Sequence, residues 1–302
     1  MTGGSGFVGS FLAKKLTEKG HEVNILTRKI KLGRILPDGA TFTEGDPTKP
    51  GPWQEKVADY EAVINLAGAS LFKRWTKEYK KEIHDSRIPT TKNLVDALKS
   101  REGQQTHLLT TSAVGYYGYH GDEALYEDSK PGEDFLANLA YSWESTALKA
   151  KEYGARVVLC RFGIVLGKNG GALAQLIPIF KWYLGAPLGN GKQWFSWIHE
   201  QDLASIFSFL LEHKELEGPV NFTAPYPVRN TEMTKILGDV LQKPTFLPPV
   251  PGFVLKLMKG EFATVLVKGQ KAIPKKLADS GYHFDFPALK EALENILTSE
   301  NT

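Results

Sequence analysis

Cysteine is nearly absent from this chain of 302 residues. Cys160 stands alone, which excludes an internal disulfide and fits a reducing compartment. It lies in the apolar run Val157-Val158-Leu159-Cys160, a setting for core packing rather than for nucleophilic chemistry. No apolar stretch approaches the ~20 residues of a membrane span. A signal peptide, an internal repeat and a low-complexity block are all missing. An excess of charge is missing too: 37 basic and 34 acidic side chains leave +3, so no bulk field favours nucleic acid or an anionic membrane. No set of His, Cys, Asp and Glu stands out as a metal site. The expectation is a soluble cytoplasmic protein with a small-molecule substrate, a homodimer being the one assembly kept open. At 42% hydrophobic residues, the chain has the material for one large domain or two ordinary ones.

What is present begins at once. Thr2-Gly3-Gly4-Ser5-Gly6-Phe7-Val8-Gly9 spaces Gly3, Gly6 and Gly9 by three and runs into Phe7, Val8, Phe11, Leu12 and Leu16, one face of an amphipathic helix. A glycine turn opening a helix makes a phosphate site. Without Cβ atoms the backbone can approach a pyrophosphate, and the amides from Ser5 to Val8 point at it. In a dinucleotide-binding βαβ unit a buried strand precedes such a turn. Here only Met1 stands before Thr2, so the leading strand is missing from the sequence. A central strand buried on both faces is costly to omit, and a shortened start is the expectation.

After a helix ending near Gly20, residues 21–27 alternate like a strand. Arg28 follows, about twenty residues past the last glycine, with Lys29, Lys31 and Arg34 close behind and no acid beside them. An acid at this place would bond a free ribose 2′-hydroxyl, whereas arginine pairs with a 2′-phosphate, so Arg28 points to NADP over NAD. A solvated basic loop is the alternative. Asp46 reaches the adenine or holds its own loop as an Asx turn. The apolar run Ala62 to Ala69 reads as a buried strand, and Leu66, Ala67 and Gly68 at its end permit close approach of a ligand. Trp75 to Arg87 reads as a helix with a solvated face, and Thr90 or Thr91 as the cap of a further helix.

His107 to Ser112 is the next strand; its end delivers Ser112, Tyr116 and Tyr117 toward the same crevice. Asp134 opens a helix, and Arg156 to Leu166 is another strand. Strands alternating with helices at this spacing argue for an α/β fold, a doubly wound parallel sheet of Rossmann type. Past Gly167 glycines, prolines and aromatics thicken, as fits a smaller carboxyl-terminal substrate lobe. A helix from Leu203 to Leu211 and a strand from Pro219 to Thr223 return to the sheet, and four prolines between Pro244 and Pro251 make a rigid connection. Leu289, Leu293, Ile296 and Leu297 mark a closing helix. The expected division is 1–167 with about 200–224 for the nucleotide domain, and about 168–199 with 225–302 for the lobe.

Taken together, Thr2-Gly3-x-x-Gly6-Phe7-x-Gly9, Asn65-Leu66-Ala67-Gly68, Thr111-Ser112-Ala113 with Tyr117-Gly118, and Trp197-Ile198-His199-x-x-Asp202 resemble the short-chain dehydrogenase/reductase superfamily in its extended branch. Trp143-Glu144, Arg161 to Gly167 and Gly269-Gln270-Lys271 before Pro274 narrow the resemblance to an atypical NAD(P)-dependent epimerase family, often labelled sugar-nucleotide epimerase. The resemblance implies a Rossmann-type fold and epimerase or oxidoreductase chemistry, with Ser112 orienting the reacting oxygen.

That chemistry also needs a tyrosine with a lysine four residues later to lower its pKa. Tyr126 with Lys130 has the spacing, but it lies in a turn-rich acidic stretch with Pro131 directly after, against the helix the pair needs. Tyr141 lies at a better distance from Ser112, yet Ser145 follows it at four residues and Lys149 only at eight. Aligning Trp143-Glu144 puts the tyrosine position at an apolar residue such as Leu136. The pair is therefore absent. Ser112, Tyr116 and Tyr141 are the catalytic candidates, with Tyr117, Glu144 and His199 as further proton carriers; His199 reads more simply as part of a lobe-joining element. Arg161, costly to bury alone, needs an internal carboxylate or a ligand phosphate. Lys73-Arg74 reads as an exposed helix start, or else as a substrate-phosphate site. The expectation is an NADP-binding epimerase- or reductase-like protein for a small polar substrate such as a nucleotide sugar. The alternative is a non-catalytic NADP sensor or partner-binding module that lost the pair.

Overall fold

The computed structural model describes residues 1–30, 39–168 and 170–298; Lys31 and Arg34 lie outside the described residues. The first half runs α1 (Phe7–Glu18), β1 (Val23–Thr27), β2 (Ala40–Glu44), β3 (Ala62–Asn65), α2 (Lys77–Asp85), α3 (Ile88–Ala97), β4 (His107–Ala113), β5 (Ala124–Leu125), α4 (Phe135–Leu148) and β6 (Arg156–Phe162). The second runs β7 (Ile164–Leu166), α5 (Gly171–Lys181), β8 (Trp194–Phe195), β9 (Trp197–His199), α6 (Glu200–Glu212), β10 (Gly218–Phe222), β11 (Val228–Arg229) and α7 (Asn230–Val240). It closes with α8 (Gly252–Lys259), α9 (Ala263–Val267), β12 (Lys271–Ala272), α10 (Lys275–Asp279) and α11 (Leu289–Thr298).

The central sheet is parallel. β2 pairs with β1, and β3, β4, β6 and β10 follow one another on the other side. Between β1 and β3 lie Met1 and Thr2: Leu26 N donates to Met1 O at 2.9 Å, and Thr2 N donates to Ile64 O at 2.9 Å. The strand order therefore reverses at Thr2, and the glycine turn leaves the sheet at that switch point, where doubly wound sheets bind ligands. Helices cover both faces. Leu12 and Leu16 of α1 and Phe207 of α6 pack with Ile25, Ile64 and Cys160 on one side. On the other side Leu94 of α3, Leu98 just past its end and Ala147 of α4 pack against Val63, Leu108 and Val157. Burial on both faces explains why the strands read as continuous apolar runs. A third core joins Leu173 and Phe180 of α5, Met233 and Leu237 of α7, and Leu293 and Ile296 of α11.

Local chemistry sets several boundaries. Asp134 caps α4 by accepting from Leu136 N at 2.8 Å and Ala137 N at 3.2 Å. α3 corrects the expected cap at Thr90 or Thr91. It starts at Ile88, with Pro89 pre-set for a first turn, and both threonines are buried inside it. The strand expected from Arg156 to Leu166 breaks at Gly163, where a Cβ would come within 2.8 Å of Ser196 O, so β7 leaves the central sheet to pair with β9. His199 caps α6 by accepting from Gln201 N at 3.0 Å, and Asp202 accepts from the amides of Asp285 and Phe286. That element ties the sheet to the carboxyl-terminal segment. Among the described residues no helix is long and apolar enough to cross a membrane.

Candidate functional site

The glycine turn is crowded where the fold needs it and open where a ligand would lie. Gly3 has φ +65°, and a Cβ there would stand 2.5 Å from Leu66 O. One on Gly9 would land on the Gly3 carbonyl, whereas one on Gly6 meets nothing closer than 3.3 Å. The N-cap of α1 is Gly6, which has no side chain to cap the first turn, and no acid occupies that turn, so its amides suit an anion. The Phe7 ring turns away and packs under the loop after β7, where a Cβ on Gly170 would come within 2.5 Å of it. Val8 packs into the core beneath.

Arg28 is exposed directly after β1. Across from it, Asp46 closes an Asx turn, accepting from Thr48 N at 3.0 Å and Thr48 Oγ1 at 2.7 Å. Burial pushes the Asp46 carboxyl up, but these bonds and the charges of Lys49 and Arg28 outweigh it and hold it low. Of the two roles open for Asp46, the turn is the one the geometry displays.

Below the turn, the Thr2 hydroxyl donates to Asn65 Oδ1 at 2.7 Å, and Asn65 Nδ2 donates to Thr91 Oγ1 at 2.9 Å and Thr110 Oγ1 at 3.2 Å. Trp143 Nε1 donates to the same Thr91 hydroxyl at 2.7 Å. This buried network fixes Leu66, Ala67 and Gly68 relative to the turn. The loop is held from behind by Arg87, which sequence reasoning did not single out. Its guanidinium is buried, donates to Ala69 O at 3.0 Å and Ile83 O at 3.1 Å, and sits 5.3 Å over the Trp143 ring. A Cβ on Gly68 would lie 2.8 Å from its Cζ. Among the described residues no carboxylate pairs with it, and burial pushes its pKa down to about 10. Arg87 remains a cation at neutral pH, under the loop at the end of β3.

At the end of β4 the candidates separate. Ser112 is buried and donates to Glu144 Oε1 at 2.6 Å. Arg161 grips the same carboxylate at both oxygens, Nε to Oε1 at 2.9 Å and Nη2 to Oε2 at 2.8 Å. Its Nη1 donates to Tyr117 OH and to Glu127 O, each at 3.0 Å, and Tyr117 OH donates to Asn221 Oδ1 at 2.6 Å. The anionic partner of Arg161 is thus internal. Burial lowers the pKa of Arg161, yet the bonds and charge of Glu144 override that and raise it. Tyr116 lays its ring over the guanidinium, 3.6 Å from Cζ, and is half-buried. Burial pushes its phenol up, and that of Tyr117 to about 12. Tyr141, on α4, is 54% exposed. Tyr126 and Lys130 lie in a turn closed by Ser129 N donating to Tyr126 O at 3.0 Å, without a helix. Leu136 packs against Gly115, just past Ser112. Lys73 and Arg74 are exposed ahead of α2.

Residues 1–222 match the family described as "NAD dependent epimerase/dehydratase family". The chain belongs to that family. Within it, the chain is 43% identical over 300 residues to "Epimerase family protein SDR39U1 homolog, chloroplastic" of Arabidopsis thaliana, covering 98% of this chain and 86% of the other. It is 36% identical to "Epimerase family protein YfhF" of Bacillus subtilis, covering 100% and 98%. Human epimerase family protein SDR39U1, solved with NADPH, superposes with a TM-score of 0.85 at 32% identity, covering 100% and 98%. The nucleoside-diphosphate sugar epimerase of Corynebacterium glutamicum superposes at 0.79 and 32% identity, over 99% of this chain and 57% of that one. In this epimerase/dehydratase chain, residues 250–296 separately match a "Domain of unknown function (DUF1731)".

Proposed function

We propose that this chain is an NADP-dependent enzyme of reductase or epimerase type, acting on a small polar substrate, with nucleotide sugars the first class to test. The observation that carries the cofactor half is the glycine-capped first turn of α1 at the switch point, with Arg28 directly after β1 and no acid next to it in sequence. The fit of the chain is good: Gly6 leaves room for close approach, and Leu66 to Gly68 line the inner side, backed by Arg87 as a further cation. The NADPH in the human relative and the sugar nucleotide named for the Corynebacterium relative support the reading. In this division, 1–167 with 200–224 bind the cofactor, while 168–199 and 225–302 cover the substrate.

Bound NADPH would supply hydride. The proton must come from the chain, and Tyr116, half-buried over the Arg161 guanidinium, is the donor we assign. Burial raises its pKa, so the phenol keeps its proton at neutral pH until a substrate oxygen takes it. Arg161, under the ring, stabilises the phenolate left behind. A second reading, an NADP sensor without turnover, draws support from Ser112: its only proton is already given to a carboxylate, so it has none for a substrate oxygen.

Loss of NADPH absorbance across a panel of carbonyl compounds and nucleotide sugars separates the two. Turnover lost in Tyr116→Phe with NADPH binding retained is the expected result. Turnover that survives the substitution removes Tyr116 from the role, and silence across the panel and in epimer assays favours the sensor.

A further inference from the structure

The substrate lobe carries an apolar surface that the nucleotide site does not use. Phe253 and Leu257 are 76% exposed and Met258 63%, although Leu255 on the opposite side of α8 is buried. α8 is therefore apolar on both faces, and one face meets solvent. An apolar helix face left to solvent belongs against something. The turn after α5 adds Trp182 at 78% and Leu184 at 59%, and the proline-rich connection adds Phe246 at 76%.

These segments are stitched together. Leu188 bridges Val250, Val250 N donates to Pro187 O at 2.8 Å, and Gly189 N donates to Val250 O at 2.9 Å. Lys243 Nζ donates to the Tyr183 hydroxyl at 3.0 Å. Between Gly170 and His199, and again between Val240 and Gly260, there is no Asp or Glu, while Lys181, Lys192, Lys243, Lys256 and Lys259 are present. Within these two segments charge has one sign, with Asp239 and Glu261 just outside them. Among the described residues none of these lysines pairs with a carboxylate, whereas the neighbouring Glu261 is taken by Lys80. The chain's balance of +3 hides this segregation.

We propose that this face docks on an anionic lipid bilayer, with Trp182, Phe246, Phe253 and Leu257 entering the headgroup–acyl boundary and the lysines meeting lipid phosphate. Exposed aromatics and long aliphatics, with lysines beside them that pair with no carboxylate and no acid inside the two segments, are what such an interface selects. A second copy of the chain would bring the same lysines face to face, which charge disfavours. The inference is independent of the cofactor reading.

Flotation of the full chain with vesicles tests it. Mixed phosphatidylcholine–phosphatidylglycerol vesicles should carry the protein up, pure phosphatidylcholine should carry much less, and added salt should release it. Phe253→Ser with Leu257→Ser, and separately Lys181→Glu with Lys256→Glu, should each weaken binding by about tenfold or more while NADPH binding stays as in the parent. A wild type that stays at the bottom with anionic vesicles overturns the proposal. If it also sediments as a dimer that Phe253→Ser with Leu257→Ser dissolves, the occupant is a second copy; if it stays a monomer, a protein partner takes the lipid's place. Flotation unchanged in both variants overturns it equally.

Discussion

The Ser112 hydroxyl donates to Glu144 Oε1 at 2.6 Å, and that carboxylate is held at both oxygens by Arg161. In the superfamily this chain resembles, the serine orients the substrate oxygen; here its proton is committed inward. The side chains of Arg161 and Glu144 are 3% and 6% exposed, so neither charge has water to fall back on.

Removing one partner of such a pair leaves the other charged and buried. Glu144→Ala should destabilise the fold by about 3–5 kcal/mol in urea unfolding, and Glu144→Gln by less, because the amide oxygen still accepts from Arg161. Adding Arg161→Met to Glu144→Ala should restore part of the loss, since no lone cation then remains. A double variant less stable than Glu144→Ala alone would contradict the account.

The lobe-joining element predicts a pH profile. Burial pushes the His199 imidazole from 6.5 down to about 4, so its contribution is full above pH 6.5 and is lost as pH falls toward 4. Burial pushes the Asp202 carboxyl the other way, from 3.8 up to about 6, so its contribution is full at low pH and is lost as pH rises toward 6. The two oppose each other across the same window. His199→Asn keeps a capping oxygen for α6 and removes one arm, so the variant should gain stability relative to wild type as pH drops from 6.5 to about 4. Parallel curves for the two proteins would show that His199 does not carry the pH dependence.

The glycine turn predicts a split between folding and binding. Gly9→Ala forces a Cβ onto the Gly3 carbonyl and should lower stability by about 1–3 kcal/mol along with cofactor binding. Gly6→Ala meets only the Gly3 oxygen, at 3.3 Å, and should fold nearly as the parent while losing NADPH affinity. Thermal melts with and without NADPH distinguish the two; a Gly6→Ala protein stabilised by NADPH as fully as wild type would put the phosphates elsewhere.

Much of this was legible because the signals are local. The glycine spacing, the Asp134 cap, the buried runs of β3, β4 and β6, and the return of β10 to the sheet all announce themselves within a few residues. What was not legible depends on distant approach. Arg87 shows nothing in sequence beyond a basic residue at the end of an expected helix; its meaning comes from Gly68 and Trp143 folding onto it. Arg161 visibly needed an anion and Glu144 visibly lay on the neighbouring helix, yet only the pairing of β4 with β6 brings Ser112 to both. Two-residue strands such as β5, β8, β11 and β12 are too short for any periodicity to declare. The apolar face of α8 was masked because net charge averages away a local excess of one sign.

The central claim is that a phosphate-bearing dinucleotide sits at the switch point with its 2′-phosphate on Arg28. Calorimetric titration of wild type and Arg28→Ala with NADPH and with NADH tests it most directly. The account predicts that wild type prefers NADPH, and that Arg28→Ala costs about 1–3 kcal/mol of NADPH binding while leaving NADH nearly unchanged. Equal losses for both cofactors, or no binding of either to wild type, would contradict it.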